Sequence, residues 1–503
     1  MENLVFVIFG GSGDLTRRKL IPALYNLFRE KRVPELFRIL GVGRTNYTDD
    51  TYRSHLREYL VKQVREDEWN EEAAQEFLSL IHYFSMDQTQ ESEYLRLKSK
   101  IGEIDSGCGN YIYYLATPPL LYEKIPLFLK SSGLNISECS VSGKGIRRVI
   151  VEKPFGYDLD SAGRFNEIFH GVFKEENIYR IDHFLGKETV QNILALRFAN
   201  GILEPIWNRN YVERVEITAV ENMGVGSRGG YYEGTGALRD MVQNHLVQLL
   251  ALVAMEPPRE YNEKEFRDEV VKVYKSLKPL SDKDIESNVI RGQYTSSSLP
   301  GKVGYRKEKG VDPESFTETF LAMKLFINNW RWEGVPFYIR TGKEMPTKVT
   351  EIVIHFRQTP HTLFSGRKEV PANNQLIIRI QPNEGALLKL DMKVPGPGFE
   401  VKQVAMDFTY DKLGVLPTED AYSRLIEDCM NGEPILFTRS DAVIESWRFF
   451  DRILTFWKRD NPPLYGYPAG TWGPLESETL FSGAGKWTNP CKNLINTDLY
   501  CEL

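Results

Sequence analysis

The apolar run Leu4-Val-Phe-Val-Ile-Phe9 passes without a linker into Gly10-Gly11-Ser12-Gly13-Asp14-Leu15-Thr16, and a helix-like stretch follows from about Leu15 to Lys31. A buried strand that must become a helix within a few residues needs a tight turn. Three glycines in four positions supply the backbone freedom and leave no side chains in the way of a close approach. This constrains the rest of the first third strongly. Arg38 to Val42, Tyr111 to Ala116 and Arg148 to Val151 read as further short strands with helix-like sequence between them. Such alternation predicts a parallel, doubly wound α/β sheet whose ligand lies outside the carboxyl ends of its strands.

Beyond about residue 180 the pattern changes. Val212 to Val220, Phe337 to Arg340, Thr350 to Phe356, Leu376 to Ile380 and Ala386 to Lys393 read as strands separated by polar turns, without regular intervening helices. That predicts a largely antiparallel sheet. Helical sequence is expected at Ala237–Met255 and Ala421–Met430. A chain of 503 residues also exceeds what one core usually organises. The expected division is therefore 1–180 as an α/β domain and 181–503 as an α+β domain.

Charge and cysteine usage narrow the partners. A formal net charge of −6 argues against nucleic acid, whose phosphates select basic faces. Cys108, Cys139, Cys429, Cys491 and Cys501 are odd in number and form no Cys-x-x-Cys, which points to a reducing compartment and to no zinc or disulfide framework. The N-terminal apolar run is too short for a signal peptide and lacks its basic flank. No uninterrupted apolar stretch approaches the roughly 18 residues of a membrane span. A cytoplasmic protein with no membrane partner is expected.

Several segments carry candidate chemistry. Read from Gly11, the glycine turn gives G-x-G-x-x with Thr16 where a third small residue usually sits, a pattern that admits a pyrophosphate to a helix N-terminus. A ligand-free tight turn would use the same residues. At the end of the second strand stands Arg44, where an acidic residue would hold the ribose 2′-hydroxyl of NAD. A cation there suits the 2′-phosphate of NADP, although a solvated arginine also fits. Lys153-Pro154 ends another strand, either as a site lysine with a fixed cis turn or as a plain terminator. In Asp182-His183-Phe184-Leu185-Gly186-Lys187, His183 and Lys187 could converge on a phosphate dianion. Equally, Asp182 could cap the next helix and leave both in solvent. Leu238, Met241, Val242, Leu246 and Leu249 form a helical apolar stripe bordered by His245. A buried core histidine and a general base fit that position equally well, and imidazole is the side chain suited to proton abstraction near neutrality.

Taken in order, Gly-Gly-Ser-Gly-Asp-Leu-Thr (10–16), Glu-Lys-Pro-Phe-Gly (152–156), Arg-Ile-Asp-His-Phe-Leu-Gly-Lys-Glu (180–188), Arg-Asp-Met-Val-Gln-Asn-His (239–245), Arg-Thr-Gly-Lys (340–343) and Lys-Trp-Thr-Asn-Pro (486–490) closely resemble the glucose-6-phosphate dehydrogenase family. The resemblance spans nearly the whole chain. It implies an NADP-binding Rossmann-like N-terminal domain, and an α+β C-terminal domain whose large, mainly antiparallel sheet mediates formation of a homodimer or homotetramer. The reaction implied is oxidation of glucose 6-phosphate to the 1,5-lactone with reduction of NADP, the first step of the pentose phosphate pathway. Gly10, Gly11, Ser12, Gly13, Asp14, Leu15, Lys19, Arg44, Tyr114 and Lys153 are implied as cofactor contacts. Lys153, His183, Lys187, Glu221, Asp240, Lys343, Lys348 and Gln381 are implied at the substrate, with His245 as general base assisted by Asp182 and a cis bond before Pro154. No metal is expected, because the cofactor supplies the electron sink.

The sequence also departs from the family pattern. Phe184 replaces a tyrosine, which removes one hydroxyl contact and weakens substrate binding by roughly 0.5–1.5 kcal/mol. Lys348 replaces an arginine, keeping charge and losing bidentate geometry. Val349, Val353 and Leu387 stand where eukaryotic members contact a second, structural NADP, while Arg379, Lys389 and Trp487 remain; no tight second site is expected. Two competing readings are a Glu-Lys-Pro-type sugar dehydrogenase that uses Lys153 as its acid-base residue, and a non-catalytic NADP sensor.

Overall fold

A computed structural model describes residues 3–64, 69–105, 109–137, 145–361, 373–410, 420–483 and 485–494. The chain forms two compact units. The first takes Met1–Glu188, Arg259–Arg267 and Thr418–Ile444; the second takes Thr189–Pro258, Asp268–Pro417 and Glu445–Leu503. Each contains one large sheet.

Among the described residues, the first unit has six strands: β1 (Asn3–Phe9), β2 (Leu36–Gly43), β3 (Ile81–Ser85), β4 (Tyr111–Leu115), β5 (Arg147–Glu152) and β6 (Ile178–Ile181). They lie in the order β3-β2-β1-β4-β5-β6 and every pairing is parallel. All seven residues of β1 are buried, as expected for a central parallel strand covered on both faces. Between β1 and β4 the order of winding reverses, which opens a crevice at the carboxyl ends of these strands. The glycine turn begins there. The following helical stretch opens with a π-type turn, Thr16–Leu20, and continues as helix Ile21–Arg29. Short β3 and β6 were not anticipated, since His82 and Arg180 interrupt their apolar runs.

The second unit contains nine strands among its described residues: β7 (Val212–Val220), β8 (Val289–Thr295), β9 (Phe320–Leu325), β10 (Phe337–Gly342), β11 (Val349–Phe356), β12 (Gln375–Gln381), β13 (Gly385–Lys393), β14 (Val401–Thr409) and β15 (Tyr465–Pro468). Their order is β14-β13-β12-β11-β7-β10-β9-β8-β15. The β7–β10 and β8–β15 pairs are parallel and the rest antiparallel. The expectation of a mainly antiparallel sheet therefore holds. Strands β8, β9, β14 and β15 are additional to those expected from the sequence. The residues read as one helix over Ala237–Met255 instead form a π-helical segment, Leu238–Leu246, followed by helix Val247–Ala254. No helix among the described residues is long and apolar enough to cross a membrane.

One cysteine reading needs correction. Cys429 is a buried free thiol, but Cys491 is disulfide-bonded. Spacing along a chain does not reveal which cysteines meet.

Candidate functional site

The glycine turn is shaped by what surrounds it. Gly10 has φ +88°, and a Cβ there would lie 2.8 Å from the carbonyl carbon of Ala116. A Cβ on Gly11 would lie 2.8 Å from Gly41 Cα, and one on Gly13 would be 3.0 Å from Gly10 O. Side chains are therefore excluded by neighbouring backbone as well as by conformation. The turn is then pinned at several points. Gly10 and Gly11 N–H both donate to Val42 O (2.9 and 2.8 Å), Tyr52 OH donates to Gly11 O (2.7 Å), and Thr16 Oγ1 donates to Gly10 O (2.9 Å). Thr16 is thus buried beneath the turn, holding it closed where a third small residue would sit. Such a bare, rigid backbone at a helix start suits a pyrophosphate. On its outer side Asp14 is ion-paired with Arg17 and Arg18 (3.0 and 2.9 Å). Ser12 Oγ accepts from Thr45 Oγ1 (3.2 Å), which ties the turn to the residue after Arg44. Arg44 and Lys19 are exposed.

Tyr114 is placed differently from a surface contact. It is fully buried, and its hydroxyl donates to Glu152 Oε1 at 2.6 Å. Burial pushes the Glu152 carboxyl above its ordinary range, outweighing the hydroxyls of Tyr114 and Tyr422 and the Lys153 ammonium. Glu152 and Tyr422 were given no role by sequence analysis. The only hint was the position of Glu152 beside Lys153. The Lys153–Pro154 bond is cis, as expected.

The segment after β6 folds into a compact turn. Asp182 is buried, its Oδ1 accepting from Phe184 N–H (2.9 Å) and its carbonyl from Leu185 N–H (3.0 Å). These two bonds organise the turn that leads into the helix Glu188–Phe198. A Cβ on Gly186 would lie 2.9 Å from Ala421 O, so close packing requires glycine there. The Lys187 ammonium lies 4.4 Å over the ring of Phe184, and the His183 ring meets the same ring edge-on at 5.2 Å. His183, Phe184 and Lys187 therefore form one group at the mouth of this turn.

In the second unit, the ends of β7 and β10 bring Glu221 and Lys343 into an ion pair. Backbone bonds hold both: Glu221 N–H donates to Gly342 O (3.0 Å) and Lys343 N–H to Thr319 O (3.0 Å). The Lys343 ammonium also lies 5.1 Å from the centre of the buried Tyr232 ring. Burial and then the charge of Asp240 are the leading causes that push the Tyr232 hydroxyl far up, which places Asp240 in the same neighbourhood. His245 is 1% exposed, near the end of the π-helical segment that also carries Asp240. π-helical turns are rare and occur disproportionately at functional sites. Gln381 donates to Thr350 Oγ1 (3.3 Å) just before a second cis bond, Gln381–Pro382. Lys348 is exposed.

Comparison with known proteins fits this architecture. Residues 7–192 match the family model described as the glucose-6-phosphate dehydrogenase NAD binding domain, and 194–488 match the C-terminal domain of the same family. The chain belongs to the glucose-6-phosphate dehydrogenase family. It is 46% identical to a glucose-6-phosphate 1-dehydrogenase of Treponema pallidum, over 99% of this chain and 98% of that one. It is 48% identical to one of Aggregatibacter actinomycetemcomitans, over 97% and 98%. A solved structure of glucose-6-phosphate dehydrogenase in complex with its substrate glucose 6-phosphate superposes with a TM-score of 0.87 at 34% identity, covering 96% of this chain and 99% of that one. Within this glucose-6-phosphate dehydrogenase fold, the residues implied for the cofactor lie in the first unit with Asp182, His183 and Lys187. Glu221, Asp240, His245, Lys343, Lys348 and Gln381 lie in the second.

Proposed function

We propose that this chain oxidises D-glucose 6-phosphate to 6-phospho-D-glucono-1,5-lactone with NADP, as a cytoplasmic homodimer or homotetramer. The observation that carries this reading is the match to dehydrogenases of that name over nearly the full length of the chain, joined to a glycine turn between a buried strand and a helix start that admits no side chain at Gly10, Gly11 or Gly13. Residues 1–180 then serve as the NADP-binding domain and 181–503 as the substrate-binding and dimerisation domain.

The residues suit the cofactor. The N–H groups of Gly10, Gly11 and Gly13 hold the turn itself, which leaves Ser12, Asp14 and Leu15 to offer theirs to the cofactor. Arg44 is an exposed cation available to a 2′-phosphate, Lys19 and Lys153 follow β1 and β5, and Tyr114 is buried in β4 of the same sheet. Bound NADP supplies the acceptor for the hydride leaving C1. The protein's own work is to hold and deprotonate the sugar. His183 and Lys187 bind the 6-phosphate, and Lys153, Glu221, Asp240, Lys343, Lys348 and Gln381 hold hydroxyls or balance charge. His245 takes the C1 hydroxyl proton on an imidazole nitrogen, oriented by Asp182, a role worth about 10²–10⁴-fold in rate.

The test is a coupled pair of assays. Reduced nicotinamide should accumulate with glucose 6-phosphate and NADP⁺, and absence of signal over a range of pH and salt would sink the reading. His245→Asn should lower turnover at least about 100-fold with sugar-phosphate binding retained. Unchanged turnover would move the acid-base role to Lys153. A single NADP per subunit is also proposed. Val353 and Leu387 pack with Ile377 and Leu494 in one apolar cluster, and Arg379 is ion-paired with Glu351 (2.8 Å), so these groups are already committed.

A further inference from the structure

We propose that Glu318 is a positioning residue for the segment Leu238–Leu246, setting where Asp240 and His245 stand relative to Lys343. The inference rests on the assignment of His245 as base. Glu318 is almost wholly buried and lies just before β9, far in sequence from the residues it holds. Its side chain and backbone act together. Oε1 accepts from Leu238 N–H at 3.0 Å and its carbonyl accepts from Ala237 N–H at 3.0 Å. These are among the first N–H groups of the π-helical segment, which has no internal partners for them and no side-chain cap of its own.

The approach is specific. Gly236 has φ +68°, and a Cβ there would lie 2.7 Å from Glu318 Cδ, so the carboxylate sits where any side chain at 236 would be. Burial pushes the Glu318 carboxyl above its ordinary range, against the Leu238 N–H and the charges of Arg239 and Arg291, and Tyr232 lies within its field. The neighbouring residue completes the link. Thr319 O accepts from Lys343 N–H (3.0 Å), and Thr319 N–H donates to Gly292 O (2.8 Å). Two consecutive residues thus register the proposed base segment and the proposed substrate lysine against one strand. Just upstream, Thr317 Oγ1 donates to Glu233 O (3.0 Å) and Ser315 Oγ to Glu233 Oε1 (2.7 Å), fastening the residues that lead into the same segment.

The experiment compares Glu318→Ala, Glu318→Gln, Gly236→Ala and His245→Asn in the full-length enzyme. Glu318→Ala removes the acceptor and should lower kcat about 10-fold or more while KM for NADP⁺ stays within about 2-fold. Glu318→Gln keeps an amide oxygen for Leu238 N–H and should stay within about 3-fold of wild type. Gly236→Ala keeps the glutamate but drives its carboxylate off, and should reproduce the kcat loss. It also reads the proposal if Glu318→Ala does not fold. A purely structural role would lower the melting temperature and leave turnover of the folded protein intact. That result in Glu318→Ala, or in Gly236→Ala if the former fails to fold, overturns the proposal. Loss in Glu318→Ala and Gly236→Ala, with normal turnover in His245→Asn, would retain Glu318 as positioning the segment and remove the base assignment. The reverse pattern would remove Glu318 and keep the base.

Discussion

The Phe184 ring lies beneath the Lys187 ammonium and packs against His183, at a position where the family resemblance implies a tyrosine. A cation over an aromatic face is held by the ring quadrupole, so the ammonium keeps its position without a polar neighbour at 184. What is lost is one donor. Phe184→Tyr should lower KM for glucose 6-phosphate about 2- to 10-fold with kcat unchanged, the span of one neutral hydrogen bond. Steady-state kinetics checks this, and an unchanged KM would mean that position 184 does not face the phosphate. Arg44 is exposed beyond β2, so its charge is available to a ligand. Arg44→Ala should weaken NADP⁺ much more than NAD⁺ in titration calorimetry. Equal weakening would separate Arg44 from the 2′-phosphate.

The turn between β1 and the first helix works as an element because neighbouring backbone lies where a Cβ on Gly10, Gly11 or Gly13 would be. Gly10→Ala combines a positive φ with a collision against the Ala116 carbonyl. The expected cost is about 1–3 kcal/mol of stability, of the kind stored in strained backbone. Cofactor affinity should fall as well, since the displaced strand end is where the pyrophosphate would lie. Denaturant unfolding and NADP⁺ titration read the two effects separately; a variant with wild-type values in both would show that the turn tolerates a methyl group. The π-helical segment 238–246 is the other element whose geometry matters, because its wider turn changes which side chains share a face. An α-helical periodicity places His245 on the border of the apolar stripe, whereas the segment buries it at 1% exposure.

Across the second unit, buried charge fastens the chain near its carboxyl end to the sheet. His355 and Glu216, on neighbouring strands β11 and β7, pair at 2.8 Å, and Glu216 Oε2 accepts from Thr488 N–H at 2.8 Å. Arg340 donates to Asn489 Oδ1 (2.9 Å) and Arg379 to Lys492 O (3.0 Å). Burial alone would raise the Glu216 carboxyl. The His355 contact, Arg214 and the Thr488 N–H outweigh it and hold the group at about 2. A folded value below the ordinary carboxylate value gives stability that is present above about 4.3 and is lost as pH falls towards 2. Glu216→Gln should therefore cost on the order of 3 kcal/mol at neutral pH, and the difference from wild type should shrink as pH falls through that window. Urea unfolding at several pH values measures it. A difference that stayed constant with pH would show that ionisation of Glu216 is not what holds this network.

Local sequence determined the elements whose signals are local. β1, its glycine turn, Arg44 after β2 and the run Val212–Val220 were legible because strand hydrophobicity, glycine tolerance and helix starts depend on residues a few positions apart. The ordered motifs also identified the family, and with it the residues proposed for catalysis. Tertiary structure alone decided the rest. Glu318 meets Leu238 across 80 positions, Tyr114 meets Glu152 across 38, and Glu216 meets Thr488 across 272. Short β3, β6 and β15 exist because neighbouring strands supply their hydrogen bonds, not because of any pattern of their own. Whether a histidine on an apolar stripe is core or base is likewise invisible to periodicity. That depends on which groups long-range folding brings beside it, and a one-dimensional pattern does not carry those distances.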